Sequence, residues 1–515
     1  MTTAGSGSSS GMAASASGSG GAGGAGAAGA TAGGAAGVAG MAGGAAGQGG
    51  QGGQAGAGGS GGMTGKSLEQ LQRDYVDLRF GMFIHFGVLT YTGSWAQSNL
   101  DISQFNPTKL DAEQWADAAK AAGMKFGALT TRHHDGFALW DSKVSTFDVA
   151  ATPWFKSNGG RDVVKEYVDA FRSRGLAPGL YYSIWDSTQG IGNDTKSVTP
   201  AQLDYVKQQL TELLSNYGPI PILIMDGWSW KTGHNVVPYD EIRALVKSLQ
   251  PDCLLTDHTH MSDPWEVDIV NFEEPRGGFA PENNMYPGNQ GNKINAAGGN
   301  DWFWAPNIGG LMSLSSIVDD HLKKLEPRWT NYLLNCPPNR DGLLDTAIVD
   351  RLKEVGMAWS PNMSRPPLPA QTPLIEHPYT PVAASATSGV AANAIDGLND
   401  SNVRTMWQTS GALPQAVTLD LGEVRADVGM LSYIPRYVEA SDGIGSPDGA
   451  ITSFGVLVST DGTTFTEAIA GSWAADGKMK TTIFGPVAAR YVRLEARAAN
   501  GAAAVATEVT VGAKR

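Results

Sequence analysis

Cysteine is nearly missing from this chain: its 515 residues contain only Cys253 and Cys336. Two thiols exclude a disulfide framework and a thiolate zinc site, and the strands assigned below set the pair at opposite ends of the fold, so no bridge is expected. No stretch is long and apolar enough to form a membrane-spanning helix, so no membrane insertion is expected. Positive charge is also short. Thirty-seven Lys and Arg against 50 Asp and Glu leave a net charge of -13, which argues against nucleic acid as a partner, because phosphate binding needs clustered cations. A neutral ligand fits better.

The first 65 residues lack charge and aromatics altogether, the first charged residue being Lys66 and the first aromatic Tyr75. Such a Gly, Ala and Ser-rich segment cannot bury enough apolar surface to offset its backbone entropy, so residues 1–65 read as a disordered tether. Its opening "MTTAGSGSSSG" has neither the basic start nor the apolar run of a secretion signal.

From 66 to 362 the chain alternates short β-rich runs with amphipathic helical patterns, which predicts a parallel sheet wrapped by helices. The strand candidates are "GMFIHFG" (81–87), "FGALTTRH" (126–133), "APGLYYSI" (177–184), "PILIMDG" (221–227), "CLLTDH" (253–258), "VDIVNFE" (267–273), "DWFWAP" (301–306) and "NYLLNCP" (331–337). The clearest helix follows the third: Pro200 opens it, Leu203, Val206, Leu210, Leu213, Leu214 and Tyr217 share one face, and Gly218 closes it. Eight strands with helical connections predict a (β/α)8 barrel, whose active site lies where its strands end. His85, His133, His134, Tyr182, Asp226, His258 and Glu273 each stand at or just past the end of an apolar run.

Asp226 ends a run apolar enough to be buried on both faces, where an unused carboxylate is costly. Trp228 and Trp230 follow it and offer the flat faces on which sugar rings stack. Glu273 ends "VDIVNFE", two strands further along the chain. Two carboxyl groups across a barrel mouth are the machinery of glycoside hydrolysis. Glu274 and Glu282 compete with Glu273, but strand alternation lets only one of Glu273 and Glu274 face inward.

The strands "GMFIHFG", "HHDGFALW" and "GLYYS", the "MDG" strand end and "NYLLNCPPNRDGLLDTAIVDRLKEVG" together resemble glycoside hydrolase family 29, the retaining α-L-fucosidases, over nearly all of residues 70–360. The resemblance implies Asp226 as nucleophile and Glu273 as general acid/base in a double displacement. It implies His85, His133 and His134 as ligands of the sugar hydroxyls, Tyr182 and Trp95 as pocket walls with Trp140 beside them, His258 as a further substrate contact, a fucosylated glycan as substrate, and no cofactor for catalysis. The chain departs from the family at Ser94, where a glutamate is common, and at His258, where an arginine is common. A related sugar therefore remains an alternative, as does a non-catalytic glycan-binding protein, although both carboxylates are kept. The Gly and Asn-rich stretch 277–301 is expected to shape the subsite for the rest of the glycan.

"SRPPLPAQTP" reads as a stiff linker, with 363–371 as its bounds. Residues 372–515 hold short β-type segments without helical periodicity, which predicts an all-β sandwich. "ANAIDGLNDSNVRTMWQT", "ITSFGVLVSTDGTTFTEA" and "ARYVRLEA" resemble the discoidin or coagulation-factor C-type domain, also known as carbohydrate-binding module family 32. That resemblance implies a structural calcium at Asp396, Asn399 and Asp400, whose oxygens suit the ion. Taken together, the expectation is an exported fucosidase, secreted, periplasmic or held at a cell surface by its tether, with a leader outside this sequence.

Overall fold

The computed structural model describes residues 65–513, except 93–98, 193–194, 196, 229–230, 235, 259–266, 275–277, 283, 296–301, 307–308, 372–374, 376–377, 398–404 and 437–445. Eight parallel strands form the first sheet: β1 (Phe80–Ile84), β2 (Phe126–Arg132), β3 (Ala177–Ser183), β4 (Ile222–Asp226), β5 (Leu254–His258), β6 (Val270–Glu273), β7 (Gly288–Lys293) and β8 (Thr330–Asn335). Their order is β5-β4-β3-β2-β1-β8-β7-β6. The two edges meet through a short seam. Thr256 Oγ1 donates to Ile269 O at 2.6 Å, Asp268 N donates to Leu255 O at 2.9 Å, and Leu255 N donates to the Asp268 carboxylate at 3.0 Å. That carboxylate is held in turn by Arg243 and Lys247, each at 3.0 Å.

The helices form as their sequence patterns dictate. Pro200–Asn216 carries a full capping box, Thr199 Oγ1 accepting from Gln202 N at 3.2 Å and Gln202 Oε1 accepting from Thr199 N at 2.8 Å. It buries Val206, Leu210, Leu213 and Leu214 against the sheet, and Gly218 follows at φ +68. Ala112–Ala121, Val163–Ser173, Tyr239–Leu249 and Thr346–Ala358 pack similarly between strands. The β6–β7 connection has no helix among its described residues. A short helix, Leu68–Val76, plugs the floor, with Leu71 and Tyr75 in the same interior cluster as Phe83, Tyr181, Ile224 and Leu333. Cys253 and Cys336 are buried free thiols.

The seventh strand differs from expectation. It is "GNQGNK", inside the stretch 277–301, and not the aromatic "DWFWAP". Hydropathy misses it because its buried positions are polar. Asn289 and Gln290 are fully buried and hydrogen-bonded, and Gly288 and Gly291 leave room for neighbours that a Cβ would strike at 2.5 and 2.8 Å. Trp302 and Phe303 instead lie in the loop that follows.

The C-terminal part is antiparallel. A seven-stranded sheet runs in the order 466–472, 451–459, 480–499, 415–434, 508–513, 378–379, with 383–386 also paired to 415–434, and 407–408 pairs with 505–506. It encloses a core of its own around Trp407, Tyr433, Val456 and Leu494. The proline-rich stretch is tied to the barrel: Arg365 pairs with Asp77 at 2.5 Å, and Trp329 Nε1 donates to Pro366 O at 3.1 Å. No helix among the described residues is long and apolar enough to cross a membrane.

Candidate active site

Strand alternation decides which side chains reach the mouth. In β4 the inward residues are Ile222, Ile224 and then Asp226; in β5 they are Leu254, Thr256 and His258; in β6, Asn271 and Glu273. Ser183, Asp226 and His258 stand on one rung of the sheet. Glu273 comes within 3.7 Å of His258 Nε2 through its Oε2. His258 thus stands beside both carboxylates, which rise from β4 and β6 into one mouth.

The same alternation separates the competitors. Glu274 faces outward, 3.0 Å from His321 Nε2, and accepts from Asn292 Nδ2 at 3.1 Å. Glu282 is almost fully solvent-exposed, beside Arg328. Of the three glutamates, only Glu273 shares the mouth with Asp226.

Asp226 is buried and accepts hydrogen bonds from Tyr181 OH to Oδ2 at 2.7 Å and from Gly227 N to Oδ1. Both favour its ionised form. Burial, together with the nearby Asp226 and Glu273, pushes the Tyr181 hydroxyl well above the ordinary tyrosine range, so it remains a donor. His134 Nε2 lies 3.9 Å from the same Asp226 oxygen, while His134 Nδ1 meets Ser183 Oγ at 2.6 Å.

His85, His133 and His134 all reach the mouth. A register shift between Thr130 and Arg132 takes β2 out of regular pleating just before the pair of histidines. His133 stacks on Tyr181 at 5.7 Å and lies 4.0 Å from His134, centroid to centroid. His85 Nδ1 meets Asn335 Oδ1 at 2.9 Å. Burial and then neighbouring charges, chiefly each other's imidazoles, hold all three well below the usual histidine range, so they are neutral near pH 7. His133 Nδ1 is buried without a hydrogen-bond partner among the described residues, as expected of a group that a ligand hydroxyl would satisfy.

Tyr182, expected as a pocket wall, is not in the mouth. It points outward, its OH donating to Gln209 at 3.0 Å and its ring lying 4.1 Å beneath the Arg132 guanidinium, which forms a fully buried pair with Asp186 at 2.7 Å. The inward residue is its neighbour Tyr181. The phase of "YYS" is set by contacts that a single strand does not display. Trp140 and Trp228 are also core residues, donating to Glu212 and to Val237 O, each at 2.7 Å. Trp95, Ser94 and Trp230 lie outside the described residues. Beside Phe83 and Tyr181, the aromatics that meet the histidines include Trp302, 5.0 Å from His85, Phe303, 5.0 Å from His133, and Trp185, stacked on His134 at 4.5 Å. Trp302 and Phe303 belong to the "DWFWAP" run, whose apolar character reads as a strand in sequence. Lys293 ends β7 on the inward side and is buried.

In the C-terminal part, Asp396 accepts from Thr405 Oγ1 at 2.6 Å, and the neighbouring Gly397 N donates to Glu508 at 3.3 Å. Burial, with the Asp396 charge adding to it, pushes the Glu508 carboxyl up to about 8. Asn399 and Asp400 lie outside the described residues.

The family model for alpha-L-fucosidase matches residues 62–362, and that for the F5/8 type C domain matches 380–509. A rice relative is 30% identical over 310 residues, 56% of this chain and 57% of that protein. Alpha-L-fucosidase 1 of Arabidopsis thaliana is 29% identical over 327 residues, 58% of this chain and 62% of the relative. The chain therefore spans about three fifths of the length of these curated relatives. Among solved structures, a glycoside hydrolase 29 family member from an unknown rumen bacterium is 21% identical with a TM-score of 0.46, covering 86% of this chain and 99% of that one. A family match across the barrel, from the floor helix to the chain beyond β8, makes this chain a member of the alpha-L-fucosidase family.

Proposed function

We propose that this protein is a retaining α-L-fucosidase acting on terminal fucose of fucosylated glycans. Asp226 attacks the anomeric carbon, and Glu273 gives its proton to the departing glycosidic oxygen. The resulting glycosyl-enzyme is cleaved by water that Glu273, now a base, deprotonates, with net retention. The observation carrying this reading is that Glu273, and neither Glu274 nor Glu282, shares a mouth with Asp226. The Tyr181 and Gly227 donors suit a nucleophile that must stay ionised. Neutral His85, His133 and His134 suit a polyol, since each can pair with a hydroxyl without needing a counter-charge. Trp302 and Phe303 offer the apolar wall against which the C6 methyl of fucose packs.

Two further readings belong with this one. Asp396 and the strand residue Glu508 supply hard oxygen donors close together, and a calcium ion there would draw the Glu508 carboxyl into its ionised form. The C-terminal part would then act as a glycan-binding module on an exported enzyme. The test of function is turnover of aryl α-L-fucoside beside aryl galactosides and arabinosides. The fucoside is expected to be hydrolysed fastest. Good turnover of another sugar with no fucosidase activity would transfer the site to that sugar and make His258 and Ser94 the residues to examine.

A further inference from the structure

We propose that His258 is locked in one tautomer by a hydrogen-bonded relay rising from the barrel floor, and that this lock makes it the positioning residue for Glu273. The relay starts at Tyr75, whose hydroxyl donates to Asn289 Oδ1 at 3.1 Å. Asn289 Nδ2 donates to Asn271 Oδ1 at 3.3 Å, and the same oxygen lies 3.1 Å from His258 Nδ1. In the neutral imidazole an oxygen acceptor at Nδ1 holds the proton there and leaves the lone pair on Nε2. Nε2 is the atom 3.7 Å from Glu273 Oε2.

All four relay side chains are buried, so turning either amide alone would set two like groups of Asn289 and Asn271 against each other away from water. The ring is seated by Gly291, where a Cβ would come within 2.8 Å of His258 Cε1. The inference rests on reading Glu273 as the general acid. A neutral acceptor beside it favours the protonated carboxyl that an acid needs, whereas an Nε2–H would favour the carboxylate. Tyr75, Asn289 and Asn271 act through His258.

The test uses the full chain labelled with 15N-histidine, with His258 assigned from the spectrum of His258→Gln and its tautomer read from the imidazole nitrogens. Wild type should be Nδ1–H. Asn271→Asp should stay Nδ1–H, because a carboxylate can only accept; Nε2–H in wild type, or a switch on this substitution, would overturn the relay. Tyr75→Phe removes the donor that orients Asn289. It should give mixed tautomers and lower kcat/KM for aryl fucosides with poor leaving groups about three- to tenfold, the worth of one neutral hydrogen bond. Substrates with good leaving groups should be unaffected. A single tautomer and unchanged leaving-group dependence in Tyr75→Phe would also overturn it. Failure of the wild type to turn over any fucoside would instead remove the proposed function, and the tautomer measurement would still decide the relay.

Discussion

Asp226 and Glu273 end two different strands, yet each is the last inward residue of its strand, and that parity is what brings them together. It also yields a sharp contrast between neighbours. Glu273→Gln should slow substrates with poor leaving groups by two orders of magnitude or more while sparing activated ones, the usual share of a general acid being about 10²–10⁴. Glu274→Gln should show no such leaving-group dependence, since its carboxylate faces His321 and Asn292. Steady-state kinetics on a leaving-group series measures both. The acidic pair and the three histidines were legible in sequence because strand ends are marked by where apolar runs stop. Tyr181 was not, because "YYS" offers two phases and the one adopted depends on Arg132 and Gln209 claiming Tyr182 from outside the barrel.

Seven of the eight strands were legible as apolar runs, with ends shifted by up to three residues. β7 was not, for a physical reason. A strand whose inward positions are Asn289, Gly291 and Lys293 satisfies the barrel by hydrogen bonding and by absent side chains, and hydropathy cannot register either device. Its cost is exactness of fit at Gly291. Gly291→Ala should force His258 aside, destabilising the protein by about 1–3 kcal/mol, the range for overpacking. Activity should fall with it. Gly310→Ala, at a position where an added Cβ meets nothing within 4 Å, should leave both close to wild type. Thermal unfolding and kcat/KM of the two variants make the comparison.

Across the whole molecule, composition marked the uncharged N-terminal stretch, the barrel and the antiparallel C-terminal part as regions of different character. It did not disclose that the proline-rich stretch is fastened to the barrel through Arg365, because its contacts with Val76 and Asp77 join residues almost 290 positions apart. Nor did it single out Glu508 beside Asp396, more than a hundred residues away in sequence. If that pair holds calcium, chelation should lower the unfolding temperature of the C-terminal part by a few degrees, and added calcium should restore it, since an ion at 100 times its Kd contributes about 2.7 kcal/mol. Glu508→Gln should blunt the response. Calorimetry with and without chelator gives the answer, and an unchanged transition would argue against the ion.

The central claim is that Asp226 is the nucleophile of a retaining glycosidase. It is tested most directly by incubating the enzyme with a 2-fluorinated fucosyl donor, whose glycosyl-enzyme decays slowly, and mapping the adduct by mass spectrometry of a peptic digest. The account predicts one fucosyl label, on the peptide containing Asp226, and none in Asp226→Ala. A label on another carboxylate, or hydrolysis of natural linkages with inversion and no adduct, would contradict it.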